Sequence, residues 1–227
     1  MSTIAIIGAG PGLGLSLARR FGSEGLSVAL ISRNRQNLDA LVATLAAEDI
    51  TAAAFTADVL DRPSLTAALE AATERFGRID VLEYSPADAT SGPLAPIDIR
   101  RTTPEDVQPQ IEYYLYGAMA ATAAVLPAML EAGSGTIIVT TGAGSTYPVP
   151  MFGNITAGGA ALRNWALNLG HALAADDTGV HVAHVAIGVW ITDNAPEGVA
   201  SMTADEIAPL YVDLVTTRDV HELVVTR

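Results

Sequence analysis

Residues 4–14, IAIIGAGPGLG, set four glycines and a proline directly behind a run of branched apolar residues. After a strand, glycines permit a tight turn and let backbone amides approach a pyrophosphate at the positive end of the following helix. Here they stand as G-x-x-x-G-x-G at Gly8, Gly12 and Gly14, with Gly10, Pro11 and Leu13 between them. Leu13 breaks the spacing G-x-G-x-x-G, and a Walker A loop fails for want of its lysine. The loop therefore points to a dinucleotide. A second chemical cluster, ISRN at 31–34, falls at the end of the next apolar run, where a carboxylate would select NAD by binding the ribose. Arg33 stands there instead, a planar cation suited to the 2′-phosphate of NADP, flanked by Ser32 and Asn34 as hydrogen-bond donors.

What is missing bounds the chemistry as firmly. The chain has no cysteine, which removes thiol nucleophiles and thiolate metal sites, and all twelve basic residues are arginines. Nothing that needs a lysine amine is available. His181 and His184 are three apart on a predicted strand and point to opposite faces, so they form no simple metal site, and His171 and His221 read as surface or packing residues. No Gly-x-Ser-x-Gly elbow accompanies them, and a Ser-His-Asp hydrolase is unsupported.

These groups need a scaffold, and the apolar runs supply it. Strands are predicted at 4–7, 27–31, 52–55, 79–85, 136–141 and 180–187, with a last short one at 222–226. Most lack clean alternation, as when both faces are covered. Between them lie helical patterns such as RQNLDALVATLAAE, where Leu38, Leu41, Val42 and Leu45 recur at spacings of three and four. Asp61 caps a helix with Pro63 in its first turn, Gly133 ends another, and Thr203 with Glu206 fits a capping box opening a helix to about residue 216. Strand then helix, repeated, gives a single α/β domain over 1–227, a doubly wound, mostly parallel sheet of about seven strands. The stretch 86–104 is its longest loop.

The formal net charge of −13 repels a phosphate backbone, and the arginines form no basic stripe, so nucleic acid is not expected as a partner. Neither a leader pattern nor a membrane-spanning apolar run of about 18 residues is read, giving the expectation of a soluble cytoplasmic protein.

Taken in order, these motifs resemble the short-chain dehydrogenase/reductase family along nearly the whole chain. The resemblance includes ADV at 57–59, GRIDVLEYSPA, GAMAATAAVLPAM, GTIIVTTGAG and GAALRNWALNLGHAL. It implies a Rossmann fold and a bound nicotinamide dinucleotide, with Asp58 and Val59 at the adenine, Ser85, Pro86 and Ala87 approaching through backbone, and Gly188 and Thr192 retained after the sixth strand. It also implies that the helices around 113–130 and 160–175 pair across a symmetric dimer or tetramer interface.

The catalytic half departs from the family. The family's Tyr-x-x-x-Lys pair falls at Asn154 and Gly158 in one frame or Ile155 and Gly159 in another, and neither frame yields tyrosine or lysine. Tyr114 stands where a helix asparagine is expected, and its neighbours Tyr113 and Tyr116 favour aromatic packing. Thr141 occupies the serine position with Ser145 close behind, and Ile187 replaces a proline. Tyr147, in the loop after the fifth strand, is the leading replacement donor, with Thr141 as its hydrogen-bonding partner. The reading is an NADP(H)-dependent oxidoreductase with an atypical site acting on a small organic substrate. The alternative is a non-redox protein of the same fold, a cofactor-sensing or partner-stabilising module or a cyclase or isomerase.

Overall fold

The first strand, β1 (Thr3–Ile7), is buried at every position because both faces of the sheet are covered. Ala5 and Ile7 point into one apolar layer, Ile4 and Ile6 into the other. The structure is a computed structural model that describes residues 2–87 and 92–227. Six further strands join β1 in one parallel sheet: β2 (Ser27–Ser32), β3 (Ala52–Thr56), β4 (Val81–Tyr84), β5 (Gly135–Gly142), β6 (Val180–Ile187) and β9 (Glu222–Val225). Their order is β3-β2-β1-β4-β5-β6-β9, so the chain reverses direction across the sheet between β1 and β4. Such a switch point opens a crevice at the carboxyl ends of the strands.

One face is covered by α3 (Arg62–Phe76), the helix pair α4 (Pro104–Gln110) and α5 (Gly117–Glu131), and α6 (Gly153–Ala175), through Leu65, Ala118, Val125, Leu162 and Ala166. The other carries α1 (Leu13–Ser23), α2 (Arg35–Ala46) and α7 (Ala204–Thr217), through Leu17, Phe21, Leu38, Leu45 and Tyr211.

The expected boundaries hold. Asp61 accepts the Ser64 N–H at 3.2 Å, Gly133 turns left-handed (φ +61°), and Thr203 with Glu206 closes a capping box on α7. The fourth strand is shorter than expected, because its pairing with β1 runs only from Ile4–Val81 to Ile7–Tyr84. Within 86–104, residues 88–91 lie outside the described residues, and the rest holds two short 3₁₀ turns, Gly92–Leu94 and Ile99–Arg101.

Two features go beyond the sequence reading. A short pair, β7 (Trp190–Ile191) and β8 (Ser201–Met202), stands apart from the main sheet. A π-turn, Ile111–Tyr116, joins α4 to α5 just after Pro109, which cannot donate to the helix ladder. Inside this turn the Tyr84 hydroxyl donates to the Tyr113 carbonyl, and Gly117 makes room for it, since a Cβ there would lie 2.1 Å from the Tyr84 oxygen. The continuous helix Pro104–Glu131 is the one helix among the described residues long and apolar enough, by length and composition, to cross a membrane. This corrects the expectation that no stretch qualifies; here its residues Ala121, Val125 and Met129 are buried in the core.

Candidate active site

The glycine loop is fastened at both ends. The Gly8 and Ala9 N–H groups both donate to Ile31 O, at 2.9 and 3.1 Å. Gly8 has φ +94°, and a Cβ on it would lie 2.6 Å from Pro86 Cα, so only glycine fits. Gly14 is held almost as closely against Ala9. Gly12 precedes α1 without a side-chain cap, and its Cβ direction meets nothing within 4 Å, only open space. That space is a cavity of about 420 Å³ lined by Gly8, Gly10, Gly12, Leu13, Gly14 and Ser85. Pro11 is exposed beside it.

A second cavity of about 260 Å³ continues the first, sharing Gly8, Gly10, Pro86 and Ala87 with it. Ser32, Arg33 and Asn34 line it together with Ala57 and Val59, and no carboxylate lines it among the described residues. Asn34 spends its side-chain oxygen on the Asn37 N–H at 3.0 Å, capping α2. Asp58 is half-buried and accepts the Leu60 N–H at 3.0 Å, while its two neighbours line the cavity. Together the two cavities form one trough whose glycine cradle and uncapped helix end fit a dinucleotide, with Arg33 at its far end.

Beyond the trough lies an apolar cavity of about 290 Å³ walled by Val149, Phe152, Ile155, Val189 and Trp190. Tyr114, Thr141, Gly142 and Ile187 line both it and the trough, marking where the two meet. Gly188 belongs to this cavity, with its N–H donating to Val225 O at 2.8 Å. Thr192 instead ties down the β7–β8 connection, its hydroxyl accepting the Asn194 N–H at 3.1 Å.

The residues of the two frames are placed differently. Ile155 and Gly159 face the apolar cavity. Asn154 is fully buried and bonds Ile97 N and Ala95 O at 2.8 and 2.9 Å, while a Cβ on Gly158 would press on Gln110. Tyr147 is 59% exposed and lines none of these cavities, because the loop after β5 turns its ring outward; the phenol at the junction is Tyr114. Burial raises the Tyr114 pKa, so this phenol keeps its proton.

A family model described as short chain dehydrogenase matches residues 2–202. The chain belongs to the short-chain dehydrogenases. Within that family it is 31% identical over 133 residues to D-threitol dehydrogenase of Mycolicibacterium smegmatis, covering 59% of this chain and 49% of that protein. It is 29% identical over 220 residues to sulfoacetaldehyde reductase of Chromohalobacter salexigens, covering 90% and 84%. The chain thus spans about half the length of the first relative and most of the second. Actinorhodin polyketide ketoreductase with NADPH superposes with a TM-score of 0.83 at 26% identity, over 99% of this chain and 95% of that one. An NADPH-bound short chain oxidoreductase of Pseudomonas aeruginosa, described as containing an atypical catalytic center, superposes at 0.86 with 18% identity, over 99% and 95%. The family and these relatives are redox proteins.

This short-chain dehydrogenase holds two buried polar networks, and the sequence reading missed both. Glu83 on β4 is fully buried, accepting Ser85 Oγ–H at 2.8 Å and Thr140 Oγ–H at 3.0 Å, with the Tyr211 hydroxyl 2.9 Å from Thr140. Burial pushes the Glu83 pKa up to about 8, against the hydrogen bonds from Ser85 and Thr140. Ser85 therefore faces its carboxyl as well as the trough. In the second network Thr141 Oγ1 lies 2.8 Å from Ser145 Oγ, 2.8 Å from His184 Nε2 and 3.1 Å from Gly142 O. His184 Nδ1 is 3.0 Å from Glu222, whose carboxylate is clasped by Arg163 with Nη2 to Oε2 at 2.7 Å. Burial holds the His184 pKa below the ordinary range, and Arg163 does the same for Glu222. His181 turns the other way, toward Val220 O and the His221 ring. Among the described residues no three His, Asp or Glu groups gather as metal ligands.

Proposed function

We propose that the protein is an NADP(H)-dependent oxidoreductase acting on a small, largely apolar substrate that carries one carbonyl or hydroxyl. The observation that carries this is the junction at Tyr114, Thr141, Gly142 and Ile187, where the nucleotide-shaped trough opens into an apolar cavity. In this reading the loop 8–14 and the amino end of α1 hold the pyrophosphate, and Arg33, Ser32 and Asn34 hold the 2′-phosphate, with charge-assisted bonds from Arg33. Ala57, Asp58 and Val59 border the adenine, and Pro86, Ala87, Gly188 and Thr192 complete the surround. Bound nicotinamide supplies or accepts the hydride.

The protein's own part is to seat the substrate oxygen beside Thr141, to exclude water with Phe152, Ile155 and Trp190, and to offer the protonated Tyr114 phenol as a hydrogen-bond donor. Thr141 stays in the role expected of it, and Tyr114 takes the donor role expected of Tyr147. Exposed Tyr116 at the end of the π-turn, with Met119 and Leu130 on α5, supports the further reading that the protein self-associates through this face. Calorimetric titration with NADPH and NADH, followed by NADPH absorbance with quinones, activated imines and simple ketones, tests the assignment. Bound NADPH with no hydride transfer to any of these electrophiles favours the non-redox alternative, for which the absence of lysine speaks.

A further inference from the structure

We propose that Thr141 is a catalytic hydroxyl whose proton is taken and returned by buried His184, with Glu222 and Arg163 holding that imidazole in its accepting tautomer. This rests on the oxidoreductase reading and names the acid–base machinery of that same site. The three side chains lie on one face of three adjacent strands: Thr141 and Val139 share a face of β5, His184 pairs with Val139, and Glu222 on β9 pairs with His184. Arg163 reaches them from α6, the helix that covers this face.

Proton counting fixes the direction of the two imidazole bonds. Glu222, ionised beside Arg163, only accepts, so His184 Nδ1 must donate to it. The neutral ring then carries its lone pair on Nε2, and the Thr141 hydroxyl is the donor that meets it at 2.8 Å. The same hydroxyl also reaches Ser145 Oγ at 2.8 Å and the Gly142 carbonyl at 3.1 Å, and passing its proton to His184 leaves the Thr141 oxygen able to accept one from a substrate hydroxyl. This is the hydroxyl–imidazole–carboxylate logic of an activated nucleophile, used here for proton transfer.

The ends of the path suit that use. Thr141 and Ser145 line the apolar cavity at one end. Glu222 and Arg163 are 24% and 30% exposed at the other, while His184 between them is 0% exposed. Gly159, one of the two positions at which the family resemblance sets its lysine, points at these hydroxyls: a Cβ there would lie 3.5 Å from Ser145 Cβ and 3.7 Å from Thr141 Cβ. The charged groups facing His184 are Glu222 on β9 and Arg163 on α6. In the oxidising direction a bound oxidised nicotinamide would take the hydride, with its bonding pair, from the substrate carbon. The substrate hydroxyl loses its proton to Thr141 Oγ as Thr141 passes its own to His184 Nε2. Carbonyl, reduced nicotinamide and an imidazolium beside the Glu222 carboxylate result, and reduction reverses each transfer.

The first test needs neither cofactor nor substrate. In ¹⁵N-histidine-labelled protein, His184 is expected as the Nδ1–H tautomer with a bare Nε2, and Glu222→Gln is expected to move its titration to more acidic pH by removing the anion that favours imidazolium. An Nε2–H tautomer overturns the relay. The second test follows NADP⁺ reduction with 1-tetralol. The rate is expected to rise with pH along a one-proton limb that moves acidward in Glu222→Gln, to fall about 10²-fold in Thr141→Val, and to recover in Thr141→Ser. A limb unmoved in Glu222→Gln, or full activity in Thr141→Val, overturns the catalytic role. A bare Nε2 with NADP⁺ bound and no hydride transfer to or from any substrate overturns the oxidoreductase reading itself.

Discussion

Gly8 and Pro86 meet backbone to backbone, so closely that a Cβ on Gly8 would lie 2.6 Å from the Pro86 Cα. The contact ties the turn after β1 to the end of β4 at the point where the sheet reverses its order. Gly8→Ala adds both that clash and a φ of +94° that an L side chain resists. A loss of about 3 kcal/mol in unfolding free energy is expected, with loss of NADPH binding. Thermal melts and calorimetric titration check both; a variant that melts and binds like the parent removes the loop from the proposed nucleotide site.

Arg33 lines a trough that holds no carboxylate among the described residues. Arg33→Ala is expected to weaken NADPH by about 10–100-fold, the worth of about 1.5–3 kcal/mol for charge-assisted hydrogen bonding, while NADH changes little. Equal affinities for both nucleotides in the parent protein would overturn the assignment of the 2′-phosphate.

Glu83 gives a pH dependence of stability with a definite sign. Its folded pKa of about 8 stands above the ordinary 4.5, so the folded state holds a proton that the unfolded state lacks. The stabilisation is fully present below pH 4.5 and is lost as pH rises to about 8, each pH unit in that window removing about 1.4 kcal/mol. Glu83→Gln keeps the shape and removes the titration. Its melting temperature is expected to vary less with pH and to exceed the parent's above pH 8; parallel profiles would show that Glu83 ionises normally in the fold.

Tyr114 and Tyr147 separate cleanly. Tyr114→Phe removes only a hydroxyl at the junction of the two cavities and is expected to slow turnover at least tenfold with folding unchanged. Tyr147→Phe, at a ring 59% exposed, is expected to leave turnover within twofold of the parent. Steady-state rates with one electrophile decide; the reverse ranking would restore Tyr147 as the donor.

Self-association is checked by light scattering at micromolar concentration, where a species larger than the 23.5 kDa chain is expected. Met119→Glu, placing a charge on the exposed apolar face of α5, is expected to shift the population toward monomer. A monomeric parent protein would refute the interface.

Much of this architecture is written locally. The runs at β1 and β6 are mostly apolar because both faces are buried, and the caps at Asp61 and Thr203 need only residues three positions away. The glycine loop is legible for the same reason, since its conformation and its chemistry share one short stretch. The π-turn was not, because it is tied to Tyr84 and Gly117 across space. Nor was the relay: His184 was correctly set on the face opposite His181, but its partner Glu222 lies 38 residues further on, and nothing in the spacing says that β9 docks beside β6. A signal was nonetheless present. His184 in VHVAHVAI and Glu83 in VLEY are polar residues inside strands that bury both faces, and such residues require partners.

Of the chain's two tryptophans, Trp165 packs against the core whereas Trp190 is 61% exposed and forms part of the cavity wall. Indole emission overlaps the near-ultraviolet absorption of a reduced nicotinamide, so Trp190 is a built-in energy-transfer donor placed within the site. Its quenching reports NADPH arriving in the trough, and its shift in colour reports an apolar molecule displacing water from the ring. The protein thereby carries its own optical screen for an unknown substrate, one that responds to occupancy before any turnover has been observed, with Trp190→Phe as the silent control.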